Sequence, residues 1–215
     1  VFLREGRIVE IHPQVPFEPG GNGPTIRPRS LTDAVLEVPA GYAGALRAGY
    51  RAALAGGAGT VLQMDGDGQH RPDDLPALLH ALDHHDLVLG SRFLAGRPGY
   101  RVPVSRRAGM AACRWMAARV GDLSLTDPTS GFRGLRRPVA ERLAREGFPG
   151  GLTETSLLIH LHRDGVRLAE VPVRMLPPSG RSMHRGLAGG AHFLRISWAV
   201  LALARGTVPP PGDEA

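Results

Sequence analysis

Residues 60–64 form a short apolar run, Thr-Val-Leu-Gln-Met, that continues without a break into the segment Asp65-Gly-Asp-Gly-Gln-His70. A short apolar run bounded by glycines predicts a buried strand. A second run, residues 86–89, ends in the same way at Gly90-Ser-Arg92. Helical patterns lie on both sides of each run. Strands that alternate with amphipathic helices predict an α/β fold with a mostly parallel sheet flanked by helices.

The remaining pattern divides the chain into four segments. Eight prolines and glycines between Pro13 and Pro28 interrupt residues 1–36, which leaves room for at most one short strand, at residues 7–11. Helices are predicted at residues 43–55, from Pro72, and at residues 105–120, 138–145 and 153–163, and Pro172 marks an edge strand. At 215 residues, one main core is expected. We therefore expect an irregular segment 1–36, one domain 37–186, a C-terminal helix 187–205 and a disordered tail 206–215.

The two acidic residues after the first strand predict a metal site. In extended backbone, residues two apart point the same way, so Asp65 and Asp67 can address one cation. The carboxyl ends of parallel strands are also where α/β sheets bind ligands, and carboxylate oxygens suit Mg²⁺ or Mn²⁺. Gln69 continues the alternation and offers a third oxygen. An isolated Asp-x-Asp is also typical of a solvated turn, but the neighbouring glycines and the apolar strand favour the metal site.

Charge and composition restrict the partners. The net charge is +6, and all 26 basic residues are arginines, which favours anionic partners such as phosphates or an acidic membrane surface. Aromatic residues make up only 5% of the chain, too few for the stacking platforms of single-stranded nucleic-acid binders. We therefore expect no nucleic-acid partner. Cys113 is the single cysteine, which favours a reducing, cytoplasmic location.

The last helical pattern, residues 187–204, suggests contact with a membrane. It combines apolar residues on one side with two arginines and a tryptophan: Phe193, Ile196, Val200, Leu201, Arg195, Arg205 and Trp198. A basic amphipathic helix of this kind can lie in a membrane surface, which would make the protein peripheral. Packing of the helix on its own domain or on membrane-spanning segments is an equally good explanation. No apolar run approaches the roughly 20 residues that a spanning helix needs.

Four segments together resemble the family 2 glycosyltransferases. They are Gly41-Tyr-Ala-Gly-Ala-Leu-Arg-Ala-Gly49, Met64-Asp-Gly-Asp-Gly-Gln-His70 with Pro72-Asp-Asp, Gly90-Ser-Arg92, and Asp127-Pro-Thr-Ser-Gly-Phe-Arg133. The resemblance covers residues 37–205 and is strongest to the branch that loads sugars onto dolichyl and other polyprenyl phosphates. It implies a nucleotide-diphospho-sugar transferase fold of the GT-A type. The opening strands of the family pattern are missing before Gly41, so the chain is expected to lack them.

The resemblance also implies an activity and a set of site residues. The activity is a metal-dependent, inverting transfer from a nucleotide-diphosphate sugar to a polyprenyl phosphate. Asp65, Asp67 and Gln69 would hold Mg²⁺ or Mn²⁺, and Asp65, Asp67 and Glu154 would be the catalytic residues. Glu154 matches an acidic position of the family, although a carboxylate is also favoured simply at the start of a helix. Arg92, Arg101 and Ser105 match positions that handle donor or acceptor phosphates, and Arg181 and Ser182 match an acceptor loop. Asp127 and Ser130 are also expected to bind substrate.

Two other functions fit parts of the sequence. A truncated, catalytically inactive module with the same fold would explain the missing opening strands. A nucleic-acid binder driven by the arginines would explain the charge, but not the scarcity of aromatic residues.

Overall fold

The computed structural model describes residues 2–4, 7–10, 41–65, 69–94, 104–145, 154–176 and 187–207. Within these ranges, the side chains of residues 2–10, 41–43, 45, 104–106 and 187–193 are outside the described part. The strands are β1 (Phe2–Arg4), β2 (Arg7–Glu10), β3 (Thr60–Asp65), β4 (Leu87–Ser91), β5 (Arg133–Arg136) and β6 (Leu168–Pro172). The helices are α1 (Gly41–Ala55), α2 (Leu75–Ala81), α3 (Val104–Gly121), α4 (Arg137–Leu143), α5 (Glu154–Arg163) and α6 (Leu187–Ala204).

The described strands form one mixed sheet in the order β2-β1-β3-β5-β4-β6. Strands β1, β3, β4 and β6 run in one direction, whereas β2 and β5 run in the other. Strand β5 lies between β3 and β4 and is antiparallel to both, with Arg133 opposite Gln63 and Leu89. The chain therefore enters β5 at the edge where β3, β4 and β6 end. We call this edge of the sheet the carboxyl edge.

The α/β architecture with flanking helices is confirmed, and two details differ from the sequence prediction. The sheet is less parallel than expected, because β5 lies antiparallel between β3 and β4, the two strands that the apolar runs predicted. Residues 2–10 supply two strands where one was predicted, and β1 pairs in parallel with β3, with Phe2 opposite Met64. A strand of three residues is too short to give a recognisable alternation. Strand β6 lies at the end of the sheet, as Pro172 predicted.

Alternate residues of the central strands fill two cores. Leu87 and Leu89 of β4 join α1, α4 and α5 on one face, whereas Val88 faces α2 on the other. Strand β4 is buried along its whole length, as its position inside the sheet requires. Each fully buried leucine contributes about 1.5–3 kcal/mol relative to an exposed one. The two cores therefore fix the end of β4, which carries part of the site.

Helix α6 packs on α3 and α5 through a third apolar cluster, which includes Ile196 and Val200. Of the predicted apolar side of α6, Ile196 and Val200 are buried, whereas the prediction for Leu201 was wrong because it is exposed. The side chain of Phe193, the fourth predicted member, lies outside the described part. Leu201 shares the exposed side of the helix with Leu194 and Trp198, which lie seven and three residues before it. The prediction treated α6 as having a single apolar side, whereas the helix is apolar on two. In the part of the chain that the structure describes, no helix is long and apolar enough to span a membrane.

Candidate active site

Asp65 is the last residue of β3 and lies at the carboxyl edge with 38% of its side chain exposed. Its carboxylate rests directly on the backbone of Gly131. A Cβ atom at Gly131 would lie 2.7 Å from Asp65 Oδ2 and 2.9 Å from Oδ1, closer than real Cβ contacts. Glycine at position 131 therefore permits the carboxylate to occupy this place. Two segments that the sequence analysis singled out separately meet here.

The segment of residues 126–132, which we call the Asp127 loop, is fastened to the end of β4. Ser130 donates its hydroxyl to the carbonyl of Gly90 at 2.7 Å, and the Gly90 N–H donates to the carbonyl of Phe132 at 2.8 Å. Gly90 has no room for a side chain, because a Cβ atom would lie 2.9 Å from Phe132 Cδ1. The predicted site residue Ser130 thus holds the loop beside the strand.

Arg92 and Asp127 form a buried ion pair. Arg92 donates Nε to Asp127 Oδ2 at 2.5 Å and Nη2 to Oδ1 at 2.7 Å, and its backbone N–H also reaches Oδ2 at 3.2 Å. The side chains are 7% and 0% exposed. Arg92 Nη2 also donates to Thr129 Oγ1 at 3.2 Å. Both residues were predicted to bind substrate, and in the structure they bind each other and close the loop onto β4.

Glu170 on β6 supports the Asp127 loop from the other side. Its carboxylate accepts the backbone N–H groups of Thr126 and Asp127 at 2.6 and 2.7 Å, and the Thr126 hydroxyl at 2.9 Å. Glu170 was not among the predicted site residues. It could have been singled out because an acidic side chain inside an otherwise apolar strand requires polar partners when it is buried.

Gln69 and His70 return the chain to the sheet next to Asp65. Gln69 Nε2 donates to the carbonyl of Leu176 at 3.1 Å, and the Leu176 N–H donates back to the Gln69 carbonyl at 2.8 Å. His70 forms a bridge with Met175, and its ring packs against Phe132 with 4.8 Å between ring centroids and an interplanar angle of 46°. His70 Nε2 lies 3.5 Å from Asp65 Oδ2. Residues 69–70 are thereby fixed at the carboxyl edge.

A buried polar cluster surrounds Gln63, which precedes Asp65 by two residues and therefore lies on the same face of β3. Tyr50 donates its hydroxyl to Gln63 Oε1. Burial raises the pKa of Tyr50 to about 12, and the positive charge of Arg133 opposes this rise. Arg133 donates Nε to the carbonyl of Ser130 at 2.8 Å, whereas its buried Nη2 has no hydrogen-bond partner among the described residues. Arg133 closes the Asp127 loop and was not assigned a role from the sequence.

Glu154 is the first residue of α5, and residues 164–167 connect this helix to β6. Burial raises the pKa of the Cys113 thiol on α3, a hydrogen bond from Thr155 opposes this rise, and the charge of Glu154 adds to it. A carboxylate in the first turn of a helix is favoured by the helix dipole.

The other predicted site residues are only partly described. Ser105 lies in the first turn of α3, but its side chain is outside the described part. Asp67, Arg101, Arg181 and Ser182 all lie outside the described residues. In the described ranges, no group of three His, Cys, Asp or Glu side chains is placed to hold a metal ion. In the described part of the site, the half-exposed carboxylate of Asp65 at the end of β3 thus lies against the Asp127 loop, which hydrogen bonds hold to β4 and β6.

Comparison with known proteins connects this geometry to a family. The model of a family described as "Glycosyl transferase family 2" matches residues 33–144, slightly more than half of the chain. The undecaprenyl-phosphate mannosyltransferase of Micrococcus luteus is 31% identical, over 86% of this chain and 79% of that protein. The polyprenol monophosphomannose synthase of Mycolicibacterium smegmatis is 30% identical over 62% of this chain. The chain spans about half (52%) of the length of this second relative.

Solved structures show the same fold. Glucosyl-3-phosphoglycerate synthase from Mycobacterium tuberculosis, crystallised with Mn²⁺, UDP and phosphoglyceric acid, matches with a TM-score of 0.54. The match covers 81% of this chain and 57% of that chain, at 21% identity. At this identity, the similarity concerns the fold.

Proposed function

Because the chain belongs to glycosyl transferase family 2, we propose that it transfers a sugar from a nucleotide-diphosphate donor to a polyprenyl phosphate with the help of a divalent cation. The similar mannosyltransferases of Micrococcus and Mycolicibacterium are named for polyprenyl acceptors, which supports this acceptor class. The proposal makes Mg²⁺ or Mn²⁺ the cofactor.

One observation carries the proposal: the half-exposed carboxylate of Asp65 sits on Gly131 at the carboxyl edge, where α/β sheets bind their ligands. A charged oxygen held open at a strand end, with no arginine paired to it among the described contacts, suits a hard divalent cation. The residues present therefore fit such an ion. Asp65, together with Asp67 and Gln69, would hold it.

A bound divalent cation would neutralise the negative charge that develops on the leaving diphosphate. The residues of the chain orient the reactants. In the transfer, an oxygen of the acceptor phosphate forms a bond to the anomeric carbon while the bond from that carbon to the donor diphosphate breaks. The electron pair leaves with the nucleoside diphosphate. Attack from the side opposite the leaving group inverts the anomeric carbon.

The acceptor phosphate is already an anion near neutral pH, so the reaction needs no general base. This agrees with a described site that consists of the Asp65 carboxylate at the carboxyl edge and the Asp127 loop beside it. We assign Glu154 to the border of the acceptor site rather than to proton transfer. Arg101, Ser105, Arg181 and Ser182 are the proposed contacts of the phosphates. The buried pair of Arg92 and Asp127 positions the loop under Asp65.

The direct test is product formation. The full chain would be incubated with Mn²⁺, a radiolabelled sugar nucleotide and a polyprenyl phosphate, using GDP-mannose and UDP-glucose as donors. The proposal expects label in the organic phase that disappears when EDTA is added. A cooperatively folded chain that binds neither nucleotide and forms no lipid-linked sugar with any donor would instead identify an inactive module.

Gly131→Ala is expected to weaken Mn²⁺ binding about tenfold while changing the free energy of unfolding by no more than about 1 kcal/mol. The new methyl group would displace the carboxylate of Asp65, and a short exposed side chain can turn away at little cost in stability. Gly109→Ala is the matched control, because open space surrounds Gly109 in α3. Titration by electron paramagnetic resonance and thermal unfolding would measure both quantities. Equal loss of Mn²⁺ affinity in both variants would contradict the assignment.

The exposed side of α6 supports peripheral association with a membrane. Leu194, Trp198 and Leu201 are 69%, 54% and 52% exposed, and Arg195 and Arg205 flank them. Helix α6 contains no acidic residue. An apolar strip between arginines is complementary to an anionic bilayer surface. We assign this surface to the cytoplasmic membrane face from which a polyprenyl phosphate would be reached.

Trp198→Ala is expected to reduce binding to vesicles that contain phosphatidylglycerol about tenfold. The reason is that a large apolar side chain would no longer enter the interface, which removes roughly 1.4 kcal/mol. Flotation with anionic and with pure phosphatidylcholine vesicles measures the effect, and the neutral vesicles serve as the control for charge. Unchanged binding of the variant to anionic vesicles would show that α6 does not face the lipid.

A further inference from the structure

His70 presents a buried imidazole whose polar atoms are not accounted for. The side chain is 2% exposed. Within the described structure, neither ring nitrogen has a hydrogen-bond partner. Leaving a buried polar group unsatisfied costs about 1–3 kcal/mol. A side chain that served only to fill this space could be apolar, so the imidazole calls for a polar role.

The surroundings of the ring fix its orientation. The ring packs at a tilt of 46° against Phe132, which is fully buried and belongs to the Asp127 loop. The backbone is fixed by the bridge from His70 to Met175 and by the paired hydrogen bonds between Gln69 and Leu176. With its backbone fixed and its side chain packed against Phe132, the ring has little freedom to turn away from its present direction.

That direction is toward Asp65. Nε2 lies 3.5 Å from Asp65 Oδ2, beyond the 2.7–3.2 Å of an ordinary N–H···O bond. The same carboxylate oxygen lies next to Gly131, where a Cβ atom would be only 2.7 Å away. A carboxylate shift of about half an ångström toward the ring would form the hydrogen bond. Either protonation state of imidazole can carry a hydrogen on Nε2.

We infer that His70 is a positioning residue for Asp65: it donates Nε2–H to the carboxylate that binds the divalent cation and selects one orientation of that carboxylate. The inference rests on the proposed function, because it assumes that Asp65 binds the cation. Groups that hydrogen-bond to a metal ligand typically change metal affinity by 10–100-fold when they are removed. Gly131 leaves room for the carboxylate, and His70 lies beside the same oxygen.

The test uses three variants of the full chain. His70→Phe removes the donor but keeps an aromatic ring against Phe132. His70→Gln retains an N–H donor at nearly the place of Nε2. His84→Gln is the matched control, because His84 is exposed and lies outside the site. The dissociation constant of Mn²⁺ is measured by electron paramagnetic resonance, the affinity for UDP and GDP at saturating Mn²⁺ by calorimetry, and folding by thermal unfolding.

The expected result is a 10–100-fold weaker Mn²⁺ affinity for His70→Phe, within about threefold of the wild type for His70→Gln, and no change for His84→Gln. Saturating Mn²⁺ restores nucleotide affinity in the Phe variant, which a general packing defect would not allow. Equal Mn²⁺ affinity of the Phe variant and the wild type would overturn the inference. A direct nitrogen coupling to Mn²⁺ in pulsed resonance would also overturn it, since His70 would then be a ligand.

The two proposals fail in different ways. A wild-type chain whose nucleotide binding is independent of metal sinks the proposed function and this inference with it. Metal-dependent binding in the wild type that His70→Phe leaves intact removes the inference alone.

Discussion

Asp127→Ala is expected to lower the free energy of unfolding by about 3–5 kcal/mol, because the variant leaves the Arg92 guanidinium buried without its counter-charge. The same change also releases three donors of Arg92 that Asp127 accepts. Urea unfolding monitored by circular dichroism would measure the loss. Most natural domains have only 5–15 kcal/mol of stability, so the variant should unfold far earlier than the wild type.

The chain contains a matched control for this experiment. Asp86 accepts the backbone N–H, Nε and Nη2 of Arg167 at 3.0, 2.9 and 2.9 Å, the same set of donors that Asp127 accepts from Arg92. This second pair lies at the surface, since the side chain of Arg167 is 60% exposed and that of Asp86 is 28% exposed. Water and salt weaken such a pair, so Asp86→Ala should cost a small fraction of the loss at Asp127. Similar losses would show that burial does not govern the energetics of the Asp127 loop.

A double replacement separates the charge from the packing. Arg92→Met combined with Asp127→Leu removes both charges at once and should recover much of the stability lost in Asp127→Ala. The double variant should nevertheless bind nucleotide less well than the wild type. Its Asp127 loop would lack the hydrogen bonds from Arg92 that hold the loop in place beside Asp65.

Asp65→Asn is expected to weaken Mn²⁺-dependent binding of nucleoside diphosphate at least about 100-fold, since it removes the charge of a direct ligand while keeping its shape. The half-exposed side chain makes few contacts, so thermal unfolding should change little. Asp83→Asn is the control, because Asp83 is an exposed acid that lies outside the site. Calorimetry with UDP and GDP, with and without Mn²⁺, measures the effect. Binding that is equal in the two variants would remove Asp65 from the metal site.

Much of the fold could be predicted from local pattern. The predicted strand at residues 60–64 is β3, the predicted helix at residues 187–204 is α6, and Pro172 correctly indicated an edge strand. These elements have strong periodicity or an unambiguous breaker. The antiparallel insertion of β5 could not be predicted in this way, because the choice of neighbouring strands depends on contacts between distant segments rather than on local pattern.

The site divides along the same line. Asp65 could be singled out from the sequence because its signal is local: an acid, two glycines and a strand end. Its role as a metal ligand stays a prediction. The mutual pairing of Arg92 and Asp127 was missed because 35 residues separate them, and neither local motif indicates the other as its partner. Glu170 was missed for the same reason, since its partners are backbone N–H groups of the distant Asp127 loop. Sequence motifs indicated which segments form the site. The contacts of each side chain in that site could be read only from the three-dimensional structure.

The insertion of β5 between β3 and β4 also dictates when the protein can mature during synthesis. Strands β3 and β4 do not touch each other, so they remain unjoined until residue 136 has left the ribosome. The Asp127 loop then still lacks Glu170 and its strand, which follow later in the chain. The nascent protein therefore exposes the unpaired edges of β3 and β4 until β5 has been made, and the Asp127 loop is fully fastened only after β6 has followed.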